Sequence, residues 1–403
     1  MERRTTNVTI IVAIAVLFIF VVDPFGLFRP KKNLSQPAAS ATEISTLKSA
    51  FESKALPPAQ YVTGLFKAHE IVFLGEMGRI SQQVDFVASL IPDLYRAGVR
   101  NLGIEYALAS DQAKIDRVLQ APRYDEKQVD QILFDRMVIW GFKQYADLFR
   151  AAWKFNRSLP AGAKPFRIVG LNVQQEYQYL ANQKDATNPE VVKKVLSKGI
   201  PDVFMAEVIE KQFISTGTKA LIYTSIDHAF TKYQNKLYAE KGKEAGIPNT
   251  ERTGNIIYNK IGSRAFSIYL HSPWNDKKGV NGLGYPVGGK LDALIATLPK
   301  GAQGGFTLAG TAMGALPVKN ETYAYKDKEL TLAGLVDGYI ILGPISAYEA
   351  VTPIPDFINA GNIKDAVKYF PGPNIDAKTT AKDLNDFIAN MSTSLDKTLK
   401  EFH

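Results

Sequence analysis

The residues best able to do chemistry in this chain stand where short apolar runs stop. Glu76 follows the run 71–74, Glu105 follows 101–104, Asn172 closes "IVGLN", Asp227 and His228 follow 220–225, and His271 follows 265–270. Carboxylates and imidazoles carry most proton transfers near neutral pH, the carboxylates once burial has raised their pKa. The chain has four histidines, and two of them fall at these ends, so the pattern does not follow from abundance. Taken singly, each residue has a plain structural role: a carboxylate caps a helix or pairs with an arginine, and Asp227 is positioned to cap a helix beginning at His228. Their joint placement marks them as a candidate site.

To come together, those side chains need a shared sheet edge. The apolar runs 71–74, 101–104, 166–169, 220–225, 265–270, 306–308 and 339–342 read as strands. Between them, helical periodicity predicts helices over 82–96, 143–156, 201–214 and 290–298, with an amphipathic helix over 379–399. Strands alternating with helices predict a three-layer α/β fold with a mainly parallel sheet. In such a sheet the ligand crevice opens outside the carboxyl ends of the strands, which is where the polar residues fall.

The chain's 403 residues, 46% of them hydrophobic, suffice for a large core, and residues 43–403 read as one α/β domain. The formal charge is +8; residues 1–32 hold five Lys/Arg and two acids, a net of +3, so about +5 is left for the remainder. That charge is spread too thinly to argue for nucleic acid. With no cysteine, disulfides and thiolate metal sites are excluded. Residues 5–22 form an uncharged run behind Arg3 and Arg4, and the nearest Ala-x-Ala, at 39–41, lies far beyond it. Residues 1–32 are therefore expected to be an uncleaved signal anchor, a single transmembrane helix in the cytoplasmic (inner) membrane. A linker at 33–42 would follow, with the body on the extracytoplasmic side.

Other motifs carry less. "GYPVGGKL", 284–291, nearly spells a phosphate-binding loop, but Leu291 stands where the magnesium-binding hydroxyl belongs, so a glycine-rich turn is expected. There is no Gly-x-Ser-x-Gly elbow. Ser225, Asp227 and His228 are too close in sequence to read as a triad, and no His-Glu-x-x-His spacing supports a metal. The aromatics of "DRMVIWGFKQYADLFRAAWKFN" fall at helical spacing, which predicts core packing. The alternative is an apolar wall for a bulky ligand, extended by Trp274.

Four stretches, "EIVFLGEMG", "YRAGVRNLGIEYALA", "FRIVGLNVQQEY" and "ALIYTSIDHAF", resemble the erythromycin esterase-like, ChaN-like and TIKI superfamily of α/β proteins, over residues 70–308. In many members a first strand ends in Leu-Gly-Glu followed shortly by His. A second strand ends in a buried Glu, a third leads to Gly-x-Asp, and a fourth leads to a further His. Carried over by position, the resemblance implies that Glu76, Glu105 and His228 form the polar site. It breaks at two places: the first His would fall at Gly78 or Arg79, and the Asp is here Asn172. Esterases of this group use that His to activate water and the related metalloproteases use it to bind metal, so the resemblance implies an altered chemistry.

The expectation is a hydrolase of an ester or amide. Glu76 or Glu105 would activate water, His228 or His271 would assist as acid or electrostatic partner, and Arg79, Asn172, Asp227 and Trp274 would contact the ligand. A buried glutamate pair could share one proton, whereas an ion pair with Arg79 would keep Glu76 ionised. The alternative is a non-catalytic binding protein that keeps the crevice for haem or another hydrophobic ligand. The partners expected are the membrane, through the N-terminal helix, and a small-molecule or peptide ligand. The sequence requires no cofactor; haem and a divalent metal are the candidates.

Overall fold

The computed structural model describes residues 39–275, 282–319, 322–371, 375 and 378–402. The run at 5–22 lies outside them, and among the described residues no helix is long and apolar enough to cross a membrane. The first described helix, Ala41–Lys54, starts inside the stretch read as linker, because Ser40 and Glu43 close a capping box there.

Among the described residues seven strands form one sheet. They are β1 (Ile71–Glu76), β2 (Asn101–Leu108), β3 (Arg167–Asn172), β4 (Ala220–Ser225), β5 (Ala265–Leu270), β8 (Gly304–Thr307) and β9 (Gly338–Ile341), in the order β3-β2-β4-β1-β5-β9-β8. Two further strands, β6 (Trp274–Asn275) and β7 (Leu283–Gly284), pair as a small antiparallel ribbon. All neighbours in the main sheet run parallel except β8, which is antiparallel to β9. β1, β2, β4 and β5 are buried throughout, as expected of a parallel sheet covered on both faces.

Side chains alternate between two cores. Val72, Leu74, Leu102, Ile104, Leu221 and Ile268 pack into one; Ile71, Phe73, Val169, Ala220, Ile222 and Ala265 pack into the other. The first core is covered by the helices Ser81–Arg96 and Lys143–Ser158, which bury Val84, Val87, Leu90, Ile91 and Leu94, and Tyr145, Leu148, Phe149 and Ala152. The second is covered by Pro201–Ile209 and Thr253–Ile261. The turn at 286–289 holds Val287, Gly288 and Gly289 at positive φ, consistent with the glycine-rich turn expected there.

Candidate functional site

Gly75 fixes the geometry at the middle of the sheet edge. A Cβ there would come within 2.5 Å of Ile226 Cδ1 and 2.8 Å of Ile226 Cα. Only glycine lets the short helix Ile226–Ala229, which leaves β4, settle against β1. That contact brings Asp227 and His228 to the end of the strand that carries Glu76.

Strand alternation then divides the acids. Glu76 continues the series Val72, Leu74 and points into the first core, together with Tyr106 of β2 and Tyr223 of β4. It is fully buried and accepts hydrogen bonds from the hydroxyls of Tyr106 and Tyr223 and, at 2.7 Å, of Tyr145 from the helix Lys143–Ser158. Burial pushes its pKa up to about 7, against the three phenolic hydrogen bonds, which favour the ionised form; the charge of Glu105 adds the smallest push. Burial likewise drives the hydroxyls of Tyr106, Tyr145 and Tyr223 well above their ordinary pKa. They remain proton donors at any physiological pH.

Arg79 reaches this cluster through its backbone. Its N–H donates to Tyr145 Oη at 3.0 Å, with φ at 61°, while its guanidinium lies 3.9 Å from Met391 Sδ in the helix Ala381–Leu399. The donors on Glu76 are phenols, so the ion pair expected from the sequence is replaced by a hydrogen-bond chain from the Arg79 amide through Tyr145.

Glu105 belongs to the opposite parity and lies with the second core. Its Oε2 accepts from Thr224 Oγ1 and stands 3.6 Å from His228 Nε2; Oε1 accepts no hydrogen bond among the described residues. His228 Nδ1 lies 2.6 Å from Asp202 Oδ1. Asp202 in turn takes Arg252 at 2.8 Å, the Thr253 amide at 2.8 Å and the Thr253 hydroxyl at 2.9 Å. Burial alone would raise the Asp202 pKa, but the charges of His228 and Arg252 and the hydrogen bonds hold it far below the usual carboxylate range. Burial alone would lower that of His228, but Asp202 and Glu105 outweigh it and raise it. The imidazole is thereby favoured as a cation with two N–H donors, fixed by Asp202 on one side and facing Glu105 on the other. Its side chain keeps 12% of its exposure against 2% for Glu105, so the ring is the group through which this relay meets solvent.

The other expected site residues are spread around these two clusters. Asn172 donates from Nδ2 to the Glu105 carbonyl at 3.2 Å and accepts the Val173 amide at 2.9 Å. Asp227 is buried in the first turn of the helix that Ser225 begins; its Oδ2 has no partner among the described residues, and burial pushes its pKa up to about 7. Ser225 Oγ also has none among them, and both nitrogens of His228 are turned to Asp202 and Glu105, so the three do not form a triad. His271 is fully buried with Nδ1 3.0 Å from Tyr339 Oη and Nε2 3.2 Å from Asp292 Oδ1. Both of its nitrogens are engaged away from Glu76 and Glu105. Trp274 packs on Tyr269 and Tyr323, centroids 5.6 and 5.3 Å away, in the second core. Trp140 and Tyr145 belong to the first core, so Trp274 does not extend that aromatic wall.

Sequence reading passed over Tyr106, Tyr145, Tyr223, Thr224, Asp202 and Arg252. Period-two alternation could have found two of these, since Tyr106 and Tyr223 continue the apolar series that ends beside Glu76. Asp202 sits in the first turn of a helix behind Pro201, where an acid is ordinary, and nothing local marks it.

Among the described residues no group of three or more His, Asp or Glu is arranged to hold a metal. Haem would need an axial ligand turned to an open face. The phenols are committed to Glu76, and His228 is held between two carboxylates, so the donors of this site do not fit it.

No protein-family model matches the chain, and no curated protein does. Solved structures do. A succinoglycan biosynthesis protein matches with TM-score 0.51 at 10% identity, over 78% of this chain and 99% of that one. A mutant of the erythromycin esterase EreC in its open conformation matches with TM-score 0.47 at 11% identity, over 82% and 99%. ChaN of Campylobacter jejuni, with cofacially bound heme, matches with TM-score 0.32 at 11% identity, over 52% and 84%. At these identities the likeness, carried by the succinoglycan biosynthesis protein, is one of fold alone.

Proposed function

We propose that this chain hydrolyses an ester or amide of a small molecule or peptide, using Glu105 and His228 with Asp202 as the orienting acid. The observation that carries this reading is the Glu105 carboxylate. One of its oxygens is tied to Thr224 and faces His228, and the other is without a hydrogen bond among the described residues. Water held at Oε1 would give its proton to Glu105 as it attacks the carbonyl carbon. When the carbon–oxygen or carbon–nitrogen bond breaks, His228 Nε2–H would protonate the leaving atom. The 3.6 Å separation between Nε2 and Glu105 is too long for a direct hydrogen bond, which leaves Nε2–H for a ligand atom. Glu76 has no such freedom, since three phenols occupy its oxygens. We assign it to holding the strand end rather than to activating water.

The test is turnover of an ester and amide panel by protein lacking residues 1–32. Glu105→Gln should lower kcat/KM by about 10²–10⁴-fold, while Glu76→Gln should stay within about tenfold of the parent. Activity indifferent to Glu105→Gln overturns the assignment. A panel that yields no turnover at all favours the non-catalytic binding protein instead. We propose also that residues 1–32 anchor the body on the extracytoplasmic side of the cytoplasmic membrane. Protease added to intact spheroplasts should then digest the body, and full protection would refute this.

A further inference from the structure

Three arginines, Arg79, Arg136 and Arg252, lie buried near the carboxyl ends of the central strands, and the surroundings of the last two differ. Arg252 is 2% exposed and forms an ion pair with Asp202 at 2.8 Å. Arg136, at the end of the helix Glu126–Arg136, is 4% exposed, and among the described residues no carboxylate lies within ion-pair distance of it. Its partners are neutral. Nε donates to the main-chain carbonyl of Glu105 at 2.9 Å and one terminal nitrogen donates to Gln175 Oε1 at 3.3 Å. Gln175 Oε1 also accepts the Tyr177 hydroxyl at 3.1 Å.

Two acids near it, Asp135 in sequence and Glu105 in space, are engaged elsewhere. Asp135 binds Lys114 at 2.6 Å and Gln131 at 2.6 Å. The Glu105 carboxylate turns to Thr224 and His228, leaving Arg136 only its carbonyl. A guanidinium has five N–H donors in a planar fork and stays protonated at any physiological pH. Burying an unneutralised charge is strongly unfavourable, and a fork with donors to spare matches the two oxygens of a carboxylate or phosphate.

The geometry points to an oxyanion subsite at the ends of β2 and β3, in which Arg136 receives a carboxylate or phosphate group of a ligand, with Gln175 and Tyr177 holding the guanidinium in place. Asn172 shares the Glu105 carbonyl with Arg136 at 3.2 Å, so the subsite and the Glu105–His228 relay meet at one residue. The subsite stands whether or not hydrolysis occurs.

The experiment measures binding of inorganic phosphate and of acetate separately, by titration calorimetry at constant ionic strength with chloride as the control anion. It uses the full-length protein, solubilised in detergent, and its variants. Saturable binding of at least one oxyanion is expected, with the stronger of the two identifying the group. Arg136→Gln should weaken it by about tenfold or more, and Arg136→Lys, which keeps charge but loses the fork, by less. Far-ultraviolet circular dichroism checks that both variants fold, and Arg136→Lys carries the test if Arg136→Gln does not. His228→Asn should abolish turnover and leave oxyanion binding unchanged, which separates this subsite from the hydrolytic reading. Binding indistinguishable from chloride in the parent protein, or binding unaltered by both Arg136 substitutions, overturns the proposal.

Discussion

On one face of the sheet Glu76 is closed in by Tyr106, Tyr145 and Tyr223; on the other, Glu105 looks across a 3.6 Å gap at a histidine that Asp202 and Arg252 hold in place. Both glutamates are buried and both sit at strand ends. They differ in how their charge is met. Neutral hydroxyls stabilise a carboxylate by hydrogen bonds but bring no counter-charge, so burial wins and Glu76 takes a proton near neutrality. On the opposite face two cations answer Asp202, and it stays ionised far into acid. A tyrosine cage thus makes a carboxyl that titrates near neutrality, whereas a histidine–arginine clamp makes a fixed charge.

The sharpest way to break that contrast is to remove the fixed charge. Asp202→Asn leaves Arg252 and His228 without their counter-ion and should cost about 3–5 kcal/mol at neutral pH, measured by urea unfolding. Because the folded Asp202 pKa is depressed, its stabilisation is present above the unfolded value near 3.8 and fades as pH falls towards the folded one. The variant and parent should therefore converge in acid; a constant gap down to pH 2 would show that the charge is not the cause.

Glu76 should behave with the opposite sign. Its folded pKa of about 7 exceeds the ordinary 4.5, so the folded state holds more protons between those values and stability falls as pH rises through that window. The difference corresponds to on the order of 3 kcal/mol. Glu76→Gln should flatten this part of the stability–pH curve, and an unchanged slope in urea unfolding from pH 4.5 to 7 would refute the assignment.

The smallest effect concerns the cage itself. Tyr145→Phe removes one phenolic donor and leaves the Arg79 amide without its acceptor, costing about 1–3 kcal/mol. Since that hydrogen bond favours ionised Glu76, the loss should be larger above pH 7 than below pH 4.5. Equal losses at both would place the phenol's role in packing.

Much of this scaffold could be read from residue order, and the reasons for the remainder are physical. β4 and β5 coincide with the apolar runs 220–225 and 265–270, because a strand buried on both faces is apolar throughout. β2 runs on to Leu108, past Glu105, since a buried carboxylate met by Thr224 and His228 does not have to end a strand. Parity within a strand is visible in sequence, but relative parity between strands depends on register, here Asn101 and Ile71 both opposite Ala220. Without that register, Glu76 and Glu105 look like a pair. Tyr145, Asp202, Arg136 and Arg252 come from helices packed over the sheet, and no local spacing announces which of their residues reaches the strand ends.

The turn after Glu76 is tied to a distant part of the chain. The Arg79 carbonyl accepts the Val351 amide at 3.0 Å, Ile80 bridges Ala350, the Ser81 amide donates to the Glu349 carbonyl at 2.8 Å, and Ser392 fastens Val351 to the helix that also contacts Arg79. These contacts form a clasp between segments some 270 residues apart in the chain, 79–81 and 349–351. Any side chain placed at 79 sits on a left-handed backbone that leads it towards Met391. Turning that position towards the strand end would first require undoing a long-range closure on which the turn depends.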